Sequence, residues 1–387
     1  MNVYEKSSNC SGCGACLQIC PKSAISMKAD AVGFLYPEIN AELCINCNAC
    51  RRVCPYQHLK KLRDGRADSP AVYALRHKEP EILAKSSSGG AFTAIVQALN
   101  PDIIYGASWN EQWRVHHTGI VRGGNLDLLR KSKYVQSDTG NTFQETKNSL
   151  VAGKTVLYSG TPCQIAGLRS FLGKDYNNLY TCDLICEGVQ SQQFWKSYLD
   201  SMQKKFSGNI TKVEFRDKSK HGWERSDFCL EFDGNREYRR ISHTKDTAYM
   251  NSFIFQGGNR DSCYKCPFAS VPRQGDFTIG DLWGWRKIAP EWSDNKGASV
   301  ILCNTLKARQ LTSALQSVAQ MKETTLEDAA RSNPNILKCT IVPQQRALYL
   351  RDMEELSFDQ LEKKWLKPRS LLRRALSELK YRIAGKS

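Results

Sequence analysis

A spacing of cysteines that occurs twice constrains this chain most. Cys10, Cys13, Cys16 and Cys20-Pro21 read C-x₂-C-x₂-C-x₃-C-P, and Cys44, Cys47, Cys50 and Cys54-Pro55 repeat the pattern 34 residues later. Zinc takes four ligands, usually as two separated pairs, and gives no reason for four cysteines within eleven residues, twice. A disulfide scaffold needs an oxidising compartment. The segment Met1–Lys6 has neither an apolar core nor a small-residue cleavage site, and no stretch approaches eighteen consecutive apolar residues, so a cytoplasmic chain with reduced thiols is expected. In that setting 16 cysteines point to metal ligation or redox chemistry.

The spacing is that of bacterial ferredoxins carrying two [4Fe–4S] clusters. The close trio wraps three irons of one cluster, and the fourth cysteine lies too far along the next turn and crosses to the other. The expected ligand sets are therefore Cys10, Cys13, Cys16 and Cys54 for one cluster, and Cys44, Cys47, Cys50 and Cys20 for its twin. Gly12, Gly14 and Ala15 let the backbone approach the cluster sulfurs. Pro21 and Pro55 stop the short helices, and Lys22–Ile39 can supply a hairpin.

The fold class expected is α+β or α/β, a small ferredoxin-like domain fused to a larger mixed α/β domain. Residues 1–60 form the ferredoxin domain, 61–71 a linker overlapping the solvated charged run Lys60–Ser69, 72–340 the larger domain, and 341–387 a basic helical segment. Strands are expected at Asp102–Ala107, Thr155–Ser159, Tyr180–Ile185, Thr211–Arg216, Asp227–Phe232, Glu237–Ser242, Phe277–Gly280 and Ser299–Thr305. Helices are expected at Ala91–Leu99, Gln164–Leu172, Gln192–Phe206 and Lys307–Met321. Lys363–Lys386 holds nine Lys or Arg against Glu378 alone, with Leu371, Leu372, Ala375, Leu376, Leu379 and Ile383 at helical spacing. It reads as a surface helix closing the domain, with peripheral contact to an anionic membrane as the rival.

A net charge of +16 first suggests nucleic acid. Thiolate clusters carry negative charge that this count omits, and phosphate-bearing cofactors need basic neighbours. Nucleic-acid binding would give no reason for two ferredoxin clusters, so none is expected.

Three further segments carry chemistry. Ser86-Ser87-Ser88-Gly89-Gly90 precedes a helix and can present backbone N–H groups to an anion. Tyr158-Ser159-Gly160-Thr161-Pro162-Cys163 reads strand–turn–helix, which puts Cys163 at the positive end of a helix dipole, where a thiol pKa falls. Cys182 and Cys186, with Cys263 and Cys266, can hold zinc or another cluster. Cys229, Cys303 and Cys339 read as packing residues. Together SSSGGAF, SKYVQS (Ser132–Ser137), SGTPCQIAGL, DLICEGV, FRDKSKHGW (Phe215–Trp223), SCYKCPFA and DFTIGDLWG resemble, from about Val72 to Asn335, the beta-subunit family of coenzyme F420 hydrogenase/dehydrogenase. That family also contains flavin enzymes such as hydroxymethyl-chlorophyll reductase.

The resemblance implies FAD, frequently with a [4Fe–4S] cluster beside it. Ser86, Ser87, Ser88, Gly89, Gly90, Tyr134, Gln136, Ser137, Gly160, Thr161 and Pro162 match the flavin contacts. Cys163, Cys186, Cys263 and Cys266 match the ligands of a third [4Fe–4S] cluster. Cys182 competes as fourth ligand, two strand repeats from Cys186 on one face, and zinc is the alternative metal. Arg216, Lys218 and Arg273 are candidate anion or substrate contacts. His116, His117 and His221 could carry protons, but a lone histidine is usually structural, so no catalytic residue is assigned.

The expected function is an iron–sulfur flavoprotein oxidoreductase. It would pass electrons between the ferredoxin-type clusters and FAD, with a small organic substrate reacting at the flavin. A redox partner protein or small electron donor would meet the clusters, and an oligomer is compatible with this. The rival is a non-catalytic electron-transfer subunit wiring a partner oxidoreductase.

Overall fold

The computed structural model describes residues 3–370 apart from 64, 65, 67 and 68, together with 372, 373 and 376. In the N-terminal region two short helices, Ala15–Ile19 and Ala49–Arg52, flank a hairpin of β1 (Ile25–Ala29) and β2 (Leu35–Ile39). The hairpin pairs from Ile25↔Ile39 to Ala29↔Leu35. Asp30 closes its turn by accepting from Val32 N (3.1 Å) and Phe34 N (2.8 Å). The two cysteine loops share one backbone path. Gly12 and Gly14 have φ of 66° and 81°, and Asn46 and Asn48, 34 residues on, have φ of 53° and 58°. A trio of cysteines facing one centre needs these left-handed turns, which glycine takes freely and asparagine tolerates.

The larger region begins with β3 (Ala71–His77), β4 (Ile103–Trp109), β5 (Val115–Val121), β6 (Val156–Gly160) and β7 (Leu179–Leu184). It continues through β8 (Ile210–Asp217), β9 (Asp227–Phe232), β10 (Arg236–Ile241), β11 (Phe277–Asp281), β12 (Ser299–Cys303) and β13 (Ala319–Thr324). Eight strands form a mixed sheet in the order β13-β3-β12-β11-β7-β6-β4-β5. Its centre, β11-β7-β6-β4, is parallel, and β5, β12 and β13 run against their neighbours. Alternating side chains feed opposite faces. Leu157 packs with Ala94, Ile95, Ile301 and Leu315 on one side. Val156 and Tyr158 pack with Phe143, Ile165, Leu168 and Phe171 on the other. The strands β10-β9-β8 make a separate antiparallel sheet. It lies against the helix Gln192–Phe206 around an aromatic core of Trp195, Tyr198, Phe215, Phe228 and Tyr249.

Four expectations change. The helix expected at Lys307–Met321 is two short helices, Leu306–Gln310 and Thr312–Val318, followed by β13. The chain leaves the helix because Ala319–Thr324 pairs along β3, an edge that local periodicity does not reveal. The strands β3, β5 and β13 were not foreseen. The charged run after residue 59 is not a free linker: Leu59–Arg63 is helical with Leu62 buried. Arg63 donates to Pro267 O (3.4 Å) and Arg66 to Gly275 O (2.8 Å), so the basic residues tie the two regions together. In the C-terminal segment the helices Arg346–Glu355 and Phe358–Trp365 bury Tyr349 and Leu361 in the aromatic core. Leu371, Ala375, Leu379 and Ile383 of the expected basic helix lie outside the described residues. Among the described residues no helix is long and apolar enough to cross a membrane.

Candidate functional site

Each ferredoxin-type quartet surrounds its own cavity. Cys10, Cys13, Cys16 and Cys54 line one, and Cys20, Cys44, Cys47 and Cys50 line the other. The last cysteine of each array stands with the other array's trio. Among the described residues no three His, Cys, Asp or Glu side chains stand close enough to hold a single metal ion. Four cysteines around each cavity, with the fourth ligand exchanged between the arrays, are the donor set of a two-cluster ferredoxin.

The quartets differ in setting. Cys13 and Cys16 are buried, whereas Cys47 is exposed, with Leu43 (51%) and Ile45 (57%) also open to solvent. Burial pushes the Cys13 thiol up to about 12, reinforced by Cys54, Cys163 and Cys10, and raises Cys16 well above its ordinary value. Thiols so placed give up their protons only when a metal takes their place.

The larger region closes over the buried loop. Gln136 Nε2 donates to Ser11 O (2.9 Å) and Thr139 Oγ1 to Cys13 O (3.1 Å). Gln18 Oε1 accepts from Phe143 N (2.9 Å). A Cβ on Gly12 would meet Gln136 Nε2 at 2.6 Å, and one on Gly14 would strike Thr139 Oγ1. In the helix Pro162–Leu172, Gly167 lies against Cys13, where a Cβ would come within 2.8 Å of Sγ.

That helix also brings Cys163 to the same place. Gly160 and Asp183 are paired across the parallel strands β6 and β7, and Cys163 and Cys186 each follow three residues later. Both thus emerge at the carboxyl edge of the sheet, where α/β folds build their sites. The loop after Arg260 adds Cys263 and Cys266. Burial first, then Cys163, Cys263 and Cys186, hold Cys266 well above its ordinary pKa. Burial and then Cys263 and Cys163 raise Cys186, and burial and then Cys163 push Cys263 up to about 12. Cys163 and Cys266 pack on one apolar cluster, and the mutual influence puts Cys186 and Cys263 in the same neighbourhood.

Cys182 is not among them. It is fully buried in the core beside Leu157 and Phe277, and the charges acting on it are Asp183 and Asp276. Strand parity fails as a guide because β7 ends at Leu184, before Cys186. The helix dipole does not depress Cys163 either. Burial outweighs it and raises the thiol, opposed by the Thr161 hydroxyl at 3.2 Å.

The positions matched to flavin contacts fall along one track. Ser87 Oγ accepts from Ser132 N (2.8 Å). From there the chain runs through Tyr134 to Gln136, at the cysteine loop, and Ser137, whose Oγ meets His117 Nδ1 at 2.7 Å. Gln164 Nε2 donates to Ser137 O (3.1 Å) and closes a capping box with Thr161. Gly160 lies against His117 and Gln164, and Pro162 starts the helix. The serine loop is itself engaged: Ser86 Oγ donates to Ile82 O, Ser88 Oγ to Ala298 O, and Gly89 N to Ser299 Oγ. Gly90 begins the helix Ala91–Leu99.

A polar group that sequence reasoning missed, His243, lies beside Tyr134, and no local motif marks it. Arg216 pairs with Asp281 (2.8 Å) and lies over the Trp283 ring. The rings of Tyr134 and Trp283 both meet the His243 ring edge-on. Burial followed by the Arg216 charge lowers His243 to about 3. Arg216 Nη2 and His243 Nε2 are buried without a protein partner. Arg273 is instead locked to buried Asp183 (3.1 Å), and Lys218 donates to the carbonyls of Leu83, Ser88 and Lys296. His221 pairs with Asp227, and His116 Nδ1 is buried without a partner.

Residues 153–329 match the family described as the C terminus of the coenzyme F420 hydrogenase/dehydrogenase beta subunit, and residues 9–58 match the 4Fe-4S dicluster domain. No curated protein matches. Among solved structures, a chain of the F420-reducing [NiFe] hydrogenase complex from Methanosarcina barkeri shares 16% identity and a TM-score of 0.45, over 76% of this chain and 90% of its own. The chain is thus similar over residues 9–58 to iron–sulfur dicluster domains and, over residues 153–329, to the C-terminal part of the coenzyme F420 hydrogenase/dehydrogenase beta subunit.

Proposed function

We propose that this chain is a cytoplasmic iron–sulfur flavoenzyme in which two ferredoxin-type [4Fe–4S] clusters, a third at Cys163, Cys186, Cys263 and Cys266, and FAD exchange electrons with a small organic substrate. The ligand sets are Cys10, Cys13, Cys16 and Cys54, and Cys44, Cys47, Cys50 and Cys20. The observation that carries the reading is the inner quartet, assembled from two sheet-edge turns and a distant loop beside buried Cys13. Packing alone gives no reason for four thiols to meet there. Bound FAD would supply the change from one-electron to two-electron chemistry.

The residues fit that cofactor. Arg216 Nη2 and His243 Nε2 are buried polar atoms with open hydrogen-bonding capacity, a costly arrangement unless a ligand completes it. Arg216 holds a fixed positive charge, Tyr134 and Trp283 offer flat surfaces, and Gln136 and Ser137 hold the track against the cysteine loop. Leu43, Ile45 and Cys47 open the outer quartet to a redox partner protein or small electron donor.

Anaerobic purification with iron, sulfide, zinc and flavin counted per chain tests this. About twelve irons, one FAD and little zinc are expected. Cys186→Ala should lose about four irons, whereas Cys182→Ala should keep them at a stability cost on the order of 1 kcal/mol. About eight irons and no flavin after reconstitution would defeat the flavoenzyme reading and leave an electron-transfer subunit wiring a partner oxidoreductase.

A further inference from the structure

Three arginines rank among the largest side chains that are fully buried: Arg216, Arg260 and Arg273. Two of them face a carboxylate, Arg216 with Asp281 and Arg273 with Asp183. Arg260 does not. Among the described residues no carboxylate lies within ion-pair distance of it, and the adjacent Asp261 is paired with Arg346 (2.7 Å). Its guanidinium donates from Nε to Cys10 O (2.7 Å), from Nη2 to Leu35 O (2.8 Å) and from Nη1 to Gln136 Oε1 (3.2 Å). It stacks over Tyr36, 4.1 Å from the ring centroid. These partners are neutral. The remaining contact is Nη2 to Cys10 Sγ at 3.6 Å.

A guanidinium stays protonated, and burying it without a counter-charge is strongly unfavourable. The anion that answers it is a four-thiolate cluster, which carries net negative charge and more of it when reduced. We propose that Arg260 is the counter-ion of the cluster held by Cys10, Cys13, Cys16 and Cys54, and that it holds this cluster's reduction potential above that of its twin. Burial by itself favours the less charged, oxidised form, and a fixed positive charge beside a ligand sulfur reverses that preference. Among the described residues no fully buried arginine other than Arg216, Arg260 and Arg273 occurs, and none of these stands beside the twin. Arg52 donates to Cys47 O (2.8 Å) from an exposed position, where water screens its charge. Being a positioning residue, Arg260 adjusts the inner member of the pair without touching a substrate. The inference rests on the cluster reading of this one quartet and not on the inner quartet or the flavin.

The test uses the full chain, prepared anaerobically as wild type, Arg260→Gln and Arg260→Lys. Each is titrated with dithionite and mediators and followed by electron paramagnetic resonance, with iron per chain measured on the same samples. In Arg260→Gln one cluster should have its reduced-to-oxidised ratio lowered about tenfold at fixed poise, a shift of about 59 mV, while the other signals stay in place. Arg260→Lys, which keeps the charge and loses the fork, should stay within about threefold of wild type. An unshifted Arg260→Gln with full iron would overturn the proposal, as would Arg260→Lys shifting as far as Arg260→Gln. If Arg260→Gln loses its cluster, Arg260→Lys decides alone: a wild-type midpoint supports the counter-ion role, and a tenfold fall overturns it. Loss of the cluster in both would mark Arg260 as a structural clamp and also overturn it. Fewer than about eight irons in the wild type would instead defeat the cluster reading itself.

Discussion

Gly12 and Gly14 turn the same corners as Asn46 and Asn48, so the choice between glycine and asparagine is made by what lies outside the loop. Asn46 and Asn48 face solvent, while Gly12 and Gly14 face Gln136, Arg260 and Thr139 at contact distance. Gly14→Asn should therefore leave iron content unchanged, because Asn48 shows the backbone accepts it. The variant should weaken the closure over the loop by about 1–3 kcal/mol, the range for overpacking, read as a lowered melting temperature. A second residue-scale prediction concerns His117. Burial depresses its pKa to about 4, with Nδ1 held by Ser137 and Nε2 by Ser159 O. The unfolded chain takes the proton first as pH falls, so stability is intact above about pH 6.5 and declines towards pH 4. About 2 kcal/mol should be lost between about pH 6.5 and pH 5. His117→Gln should flatten that part of a melting-temperature profile. At this scale the cysteines were legible because ligand spacing is local. Arg260 was not, since a lone arginine carries no signal until the fold brings Cys10 and Leu35 to it.

Elements decide which cysteines meet. Cys163 and Cys186 stand together because Gly160 and Asp183 are neighbours in a parallel sheet, a relation that no local pattern contains. Cys182, the competing fourth ligand, stays in the core for the matching reason: strand parity holds only to Leu184. Likewise the apolar spacing over Lys307–Met321 runs on past Val318, yet pairing with β3 turns the chain into β13. Helix Gln192–Phe206 and strand Asp227–Phe232 were read correctly from their own residues, since the helix buries one face along its length and the strand is a short run buried on both faces. The crossed arrangement of the ferredoxin-type quartets yields an element-scale prediction. Cys54→Ser should perturb the magnetic signal of the buried cluster held by Cys10, Cys13 and Cys16, although Cys54 is nearer in sequence to the exposed trio. Cys20→Ser should do the converse. Each cysteine acting on its own array would contradict the crossing.

On the scale of the whole molecule, the two regions are joined by more than the peptide chain. Leu62 packs with Ala166 and Phe268, Arg169 Nη1 donates to Leu62 O (2.8 Å), and Arg63 and Arg66 reach the larger region. A charged run read as solvated is thus a clasp, because its basic side chains find backbone carbonyls across the junction. Removing iron should release it. Without cluster charge, Arg260 is buried against neutral groups, so chelated protein should be cut by trypsin near Arg63 and Arg66 at least tenfold faster than loaded protein, about 1.4 kcal/mol of lost closure. Equal rates would show that closure does not depend on the metal.

The covering of the first cysteine loop also fixes a sequence of events in the making of the protein. Cys13 and Cys16 are each 9% exposed once Thr139, Gln136 and Gly167 lie over their loop, leaving little room for a cluster-delivering protein to reach them. A cluster at this loop is expected to enter before closure, so protein already closed without metal should take up iron and sulfide more slowly than protein whose N-terminal region still stands apart.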